Sequence, residues 1–194
     1  MIETTELGQI ERKAWTSYFQ DGLWDIFFGL LMLTAGIRTL TDNVWFTLVI
    51  FAAVLINVLG KKFITVPRLG LVTFGPSRRL RQQKIFVVII ISVLVTLFLL
   101  FVPHFGLQIS TSPIMAVWIA VVLGLVAYYL DFKRLYAYGL LFAASEVLWG
   151  QFGGSIGAPF QVITGTVILL VGMAVLIIFL RKYPVPAEVT SHSE

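Results

Sequence analysis

Six stretches of the chain, residues 23–40, 44–60, 85–102, 114–130, 135–151 and 160–180, run almost free of charge for the length of a membrane crossing. A helix needs about 20 apolar residues to cross about 30 Å of hydrocarbon. Inside lipid only helices and closed barrels satisfy every backbone polar group. Composition points the same way: 58% of the 194 residues are hydrophobic and 12% charged, with a mean hydropathy of +0.93. A water-soluble chain this short would have to bury nearly every second residue, whereas helices facing lipid leave apolar side chains exposed without cost. The expected fold is an all-α membrane protein, a bundle of six transmembrane helices. The second run is the shortest, but Trp45, Phe46 and Phe63 suit the two interfaces and allow it to extend past Gly60. The fifth is interrupted by Glu146 and Gln151.

Orientation follows from the cations. With six spans and the N-terminus inside, Arg12, Lys13, Lys61, Lys62, Arg68, Arg78, Arg79, Arg81, Lys84, Lys133, Arg134, Arg181 and Lys182 all fall on the cytoplasmic side, and Arg38 alone falls outside. Such a bias is the positive-inside signature. It predicts a cell-membrane protein with both termini cytoplasmic: an N-terminal segment 1–22, a transmembrane domain 23–180 and a tail 181–194. Residues 1–22 mix acidic and basic side chains with no apolar core, so no cleaved signal peptide is expected. Arg38 and Asp42 stand four apart near the outer end of the first helix, a spacing that permits a local ion pair.

A shift of 121 positions lays Asp25 over Glu146, Gly29 over Gly150 and Lys61 over Lys182 without a gap. This reads as a parallel repeat of a two-helix hairpin. Basic ends and aromatic belts recur in any membrane hairpin, so only the Asp25/Glu146 and Gly29/Gly150 correspondences exceed that background.

The longest cytoplasmic connection, residues 61–84, holds Lys61, Lys62, Arg68, Arg78, Arg79, Arg81 and Lys84 and no acidic residue. Its first half, Phe63 to Phe74, is β-branched and aromatic around Pro67 and Gly70 and predicts a short β-hairpin-like segment. The patch suits anionic lipid headgroups, at about 1 kcal/mol per basic residue, or an acidic protein partner. Aromatic interleaving is too slight for nucleic acid. Thr65, Pro67, Arg68, Gly70, Val72 and Phe74 form a Thr-x-Pro-Arg-x-Gly-x-Val-x-Phe stretch. Together with Tyr18 to Asp25, it resembles a group of small prokaryotic polytopic membrane proteins. The resemblance implies the same architecture and brings no activity, cofactor or catalytic residue with it.

Ionisable groups at membrane depth are costly, about 2.5 to 3.5 kcal/mol for an acid at mid-helix, and are functional candidates for that reason. Asp25 lies one turn inside the first span with Asp21 four residues earlier, and Glu146 lies deep in the fifth. If Asp25 and Glu146 meet, they form a carboxylate pair suited to proton or cation handling. Alternatively, each is satisfied by neighbours such as Thr34, Asn57, Tyr138 or Ser145. Gly29 with Gly36, and Gly165 with Gly172, recur at a spacing of seven. They favour close helix packing within the bundle, or a homo-oligomer surface.

Catalysis is the weakest class. The chain has two histidines and no cysteine, so no catalytic set, metal shell or cofactor is expected. Gly153 to Gly157 matches Gly-x-Ser-x-Gly, but lies between helices rather than at a strand-to-helix elbow. Two classes remain. One is a non-catalytic membrane component, a sensor, assembly factor or subunit presenting the 61–84 loop. The other is a small transporter or channel using Asp25 and Glu146, with a cavity lined by Asn57, Gln151 and Gln161.

Overall fold

The computed structural model describes residues 16–69, 76–101 and 111–184. All of the regular structure among them is helical. Among the described residues there are six long helices: α1 Leu23–Thr41, α2 Val44–Leu69, α3 Pro76–Phe101, α4 Thr111–Leu130, α5 Arg134–Phe152 and α6 Gly154–Lys182. By length and composition α1, α2, α4 and α6 can each cross a membrane, while the apolar part of α3 is limited to Gln83–Leu99. Large apolar side chains such as Phe51, Phe86, Leu94, Leu140 and Ile163 are exposed on the outer faces. Water would penalise such a surface; lipid does not.

Each helix boundary has a local cause. Gly22 precedes α1 at φ +88, a left-handed conformation that residues with a Cβ rarely adopt. Asp21 then accepts the Leu23 backbone N–H at 3.1 Å, placing a carboxylate at the positive end of the α1 dipole. At the far end of α4, Asp131 takes φ 54 and the Phe132 N–H reaches back to the Ala127 carbonyl at 3.0 Å. That is a left-handed helix cap, and the wholly buried Phe132 ring pins the corner. Between α5 and α6 the turn narrows to Gly153, at φ 65, so most of the expected outer connection 152–159 is already helix.

α2 departs from expectation. Its apolar run predicts an end near Gly60 and a hairpin-like loop, but the chain continues through a π-helical turn at Lys61–Thr65 into Val66–Leu69. Residues 63–69 are therefore helical rather than extended, because Lys61 and Thr65 both bond to Asp21 at the entry to α1. Residues 70–75 of that loop, and 102–110 with His104, lie outside the described residues. Arg38 is exposed and makes no ion pair with Asp42 among the described residues.

The principal contacts run in the order α2, α1, α6, α5, α4, α3, so the first and last of these six helices are neighbours and share the most extensive seam. α1 and α6 pack antiparallel with their backbones almost touching. A Cβ on Gly22 would stand 2.5 Å from the Gly172 carbonyl oxygen, one on Gly29 2.6 Å from the Leu169 nitrogen, and one on Gly165 2.3 Å from the Leu33 nitrogen. Those heptad-spaced glycines thus serve packing inside the chain. Gly150, which the 121-residue shift pairs with Gly29, also marks a close approach, against Ser112 of α4.

Candidate functional site

Most of the buried polar groups, though not Thr34 or Ser145, collect toward one end of the bundle, where α1 and α5 begin and α2 and α6 finish. Asp21, just before α1, and Asp25, in its first turn, are both fully buried. On α2, Asn57, Lys61 and Thr65 recur every fourth residue, which keeps them near one face, and are also buried.

Asp21 is held by three donors. Lys61 Nζ lies 2.6 Å from its Oδ2, the Thr65 hydroxyl donates to the same oxygen at 2.5 Å, and the Leu23 N–H takes the other oxygen. The Lys61 ammonium also donates to the Tyr18 carbonyl and sits 4.4 Å from the centre of the Tyr18 ring. The π turn makes this possible. Its wider winding brings Lys61 and Thr65 onto the same carboxylate, and such turns are frequent where a helix carries a specialised site.

Asp25 is held from the opposite side. The Tyr138 hydroxyl donates to Oδ1 at 2.5 Å and Arg134 approaches Oδ2 at 3.0 Å. That approach is an ion pair without the alignment of a hydrogen bond. The Arg134 guanidinium also lies 5.2 Å from the Phe132 ring, and its side chain remains 31% exposed. The Phe28 ring lies 6.1 Å from that of Tyr138. Two carboxylates thus face two cations, and the start of α1 is tied to α2 by one pair and to α5 by the other. Arg81 of α3 and Asp131 at the end of α4 form a further pair at 3.1 Å, more exposed than the others.

The structure gathers some of the expected residues and separates others. Asp21 and Asp25 are indeed at one site, with Tyr138 as a neighbour of Asp25. Asp25 and Glu146 do not form a carboxylate pair. Glu146 is eight residues beyond Tyr138 on α5, about 12 Å along the axis, and its half-buried side chain has no hydrogen-bond or ion-pair partner among the described residues. Lys61 departs from the expected headgroup-binding set, because it is buried against Asp21. Lys62 and Lys84 are exposed, Arg68 is half-buried with a bond to the Ile64 carbonyl, and the Arg78 and Arg79 side chains lie outside the described residues. Gln161 donates to Ser145 at 2.8 Å rather than to either carboxylate. Ser155 donates to the Phe152 carbonyl at the start of α6, with no base beside it among the described residues, so the Gly-x-Ser-x-Gly match is a helix start. No metal-ligating cluster occurs among the described residues.

Lys61, Thr65 and Arg134 are the carboxylate partners that sequence reasoning missed; the sequence assigns Lys61 to the headgroups instead. The signal was present for Thr65, four residues after Lys61 in a helix, but the expected end of α2 at Gly60 hid it. No protein-family model, curated protein or solved structure matches this chain.

Proposed function

We propose that this chain is a six-span integral membrane protein with both termini in the cytoplasm. In this reading it is a non-catalytic component, a sensor, assembly factor or subunit, whose basic 61–84 segment engages anionic lipid headgroups. One observation carries it: the charges at the cationic end divide into two sets. Asp21 and Asp25 are fully buried, each paired with a cation from another helix. Fixed pairs of this kind hold helices together and leave neither carboxylate free for a passing ion. Lys62 and Lys84, by contrast, stand exposed at the same end, at the level where headgroups lie. The sequence resemblance to small polytopic membrane proteins fits the same architecture.

Replacing Lys62 and Lys84 with alanine is expected to weaken retention of anionic lipid by about fivefold per residue, since each is worth about 1 kcal/mol beside an anionic surface. Co-purified phosphatidylglycerol, quantified at low and high salt, reads this directly. The difference from wild type shrinks as salt rises, because the interaction is screened. Equal retention at low salt would rule out the headgroup role.

A second reading, a small transporter or channel, draws on the Glu146 carboxylate, which has no partner among the described residues. Proton or cation flux into proteoliposomes is its test: flux in wild type that falls in Glu146→Gln supports it, and wild-type vesicles as tight as empty ones remove it.

A further inference from the structure

A second feature of the cationic end lies away from the 61–84 segment, where the chain before α1 meets the finish of α6. A pocket of about 230 Å³ opens there between Ser17, Gln20, Phe179, Lys182 and Tyr183, with Val175 and Ile178 as its apolar wall. Its polar rim offers several donors. Lys182 carries an ammonium held 5.5 Å from the Tyr183 ring, Gln20 has an amide NH₂, and Ser17 and Tyr183 hydrogen-bond to each other at 3.3 Å. That bond uses one hydroxyl proton and leaves the other to donate outward. No carboxylate lines the pocket among the described residues.

Its apolar wall continues up α6. Val167, Val171, Val175, Ile178 and Lys182 succeed one another at intervals of four, four, three and four residues, which keeps them on one helix face. Val167, Val171 and Ile178 are exposed. From Val167 to Ile178 the track measures about 16 Å along the axis, roughly half of the hydrocarbon thickness and so the depth of one leaflet. A cationic, donor-rich pocket at one end of a leaflet-deep apolar track is complementary to an amphiphile with an anionic head.

We propose that this pocket and track bind one anionic phospholipid, its phosphate held by Lys182, Gln20 and the Ser17/Tyr183 hydroxyls and an acyl chain laid along Val167, Val171, Val175 and Ile178. The site rests on the membrane-spanning reading above, but uses residues distinct from the 61–84 segment, so the two can fail separately.

The test uses the full chain, delipidated in mild detergent and titrated with dioleoylphosphatidylglycerol, dioleoylphosphatidylcholine or inorganic phosphate, with adducts counted by native mass spectrometry. Wild type is expected to hold one phosphatidylglycerol more tightly than the rest. Lys182→Ala weakens that copy by about fivefold, Lys182→Arg restores it, and Lys62→Ala with Lys84→Ala leaves it in place. Val171→Asn weakens the lipid without creating affinity for phosphate. Equal retention of phosphatidylcholine, an unchanged tight copy in Lys182→Ala, or its loss only in the Lys62 and Lys84 variants would overturn the site. Inorganic phosphate displacing the lipid at comparable concentration would identify an ion site and overturn the lipid assignment.

Discussion

Lys61→Met is expected to destabilise the folded protein by about 3 kcal/mol or more, the low end of the cost of removing one member of a buried ion pair. The substitution keeps an apolar stem of similar length, so the loss isolates the charge. Asp21 is left at zero exposure with Thr65 and the Leu23 N–H as donors and without the ammonium that balanced it. Polar contacts between membrane helices usually measure nearer ~0.6 kcal/mol, because the dissociated helices find other partners in lipid. Here the uncompensated carboxylate decides, since the native packing holds it where no substitute can reach. Adding Asp21→Asn to Lys61→Met removes the stranded charge and is expected to recover most of the loss. Unfolding in mixed detergent micelles, followed by circular dichroism, provides the four corners of the cycle. A Lys61→Met protein as stable as wild type would mean that the pair contributes nothing to the fold.

The second large effect is steric. Gly165→Leu places side-chain atoms where the Leu33 backbone already stands, the first of them 2.3 Å from its nitrogen. Backbone cannot swing aside as a side chain can, so α1 and α6 have to separate along their whole seam. Overpacking in a soluble core costs about 1 to 3 kcal/mol, and a rigid antiparallel contact belongs at or above the top of that range. Even Gly165→Ala is expected to destabilise. Gly124 is the internal control: a Cβ there meets nothing within 4 Å, so Gly124→Ala should be neutral, or stabilising by up to about 1 kcal/mol through helix propensity. Chemical denaturation of the two alanine variants side by side is sufficient. Equal stabilities would show that α1 and α6 do not approach this closely.

Much of this architecture could be read from hydropathy. Each of the six apolar runs coincides with a helix, and the heptad-spaced glycines of α1 and α6 each lie against the backbone of the opposite helix. What escaped reading depends on which helices are neighbours. The pairing of Asp21 with Lys61 spans 40 residues and that of Asp25 with Tyr138 spans 113, separations over which periodicity carries no information. Lys61 illustrates the difficulty. A lysine after an apolar run normally marks water, and the rule fails here because an acid from another helix makes burial tolerable. The same partner draws α2 onward past Gly60, and the expected hairpin begins as helix. Asp25 and Glu146 invite pairing because both are acids at depth; residue type cannot reveal that one sits two turns farther along α5 than the Tyr138 that holds the other.

The most extensive seam joins the first of the six helices to the last. During synthesis α1 therefore waits for its main partner while all of the intervening helices are made, a delay on the order of ten seconds at ordinary ribosomal rates. Until α6 arrives, the glycine groove of α1 stands open to whatever lies beside it in the bilayer. A chain halted before α6 would hold α1 to α5 through the Asp25 contacts, without the seam that joins α1 and α2 to the rest of the row.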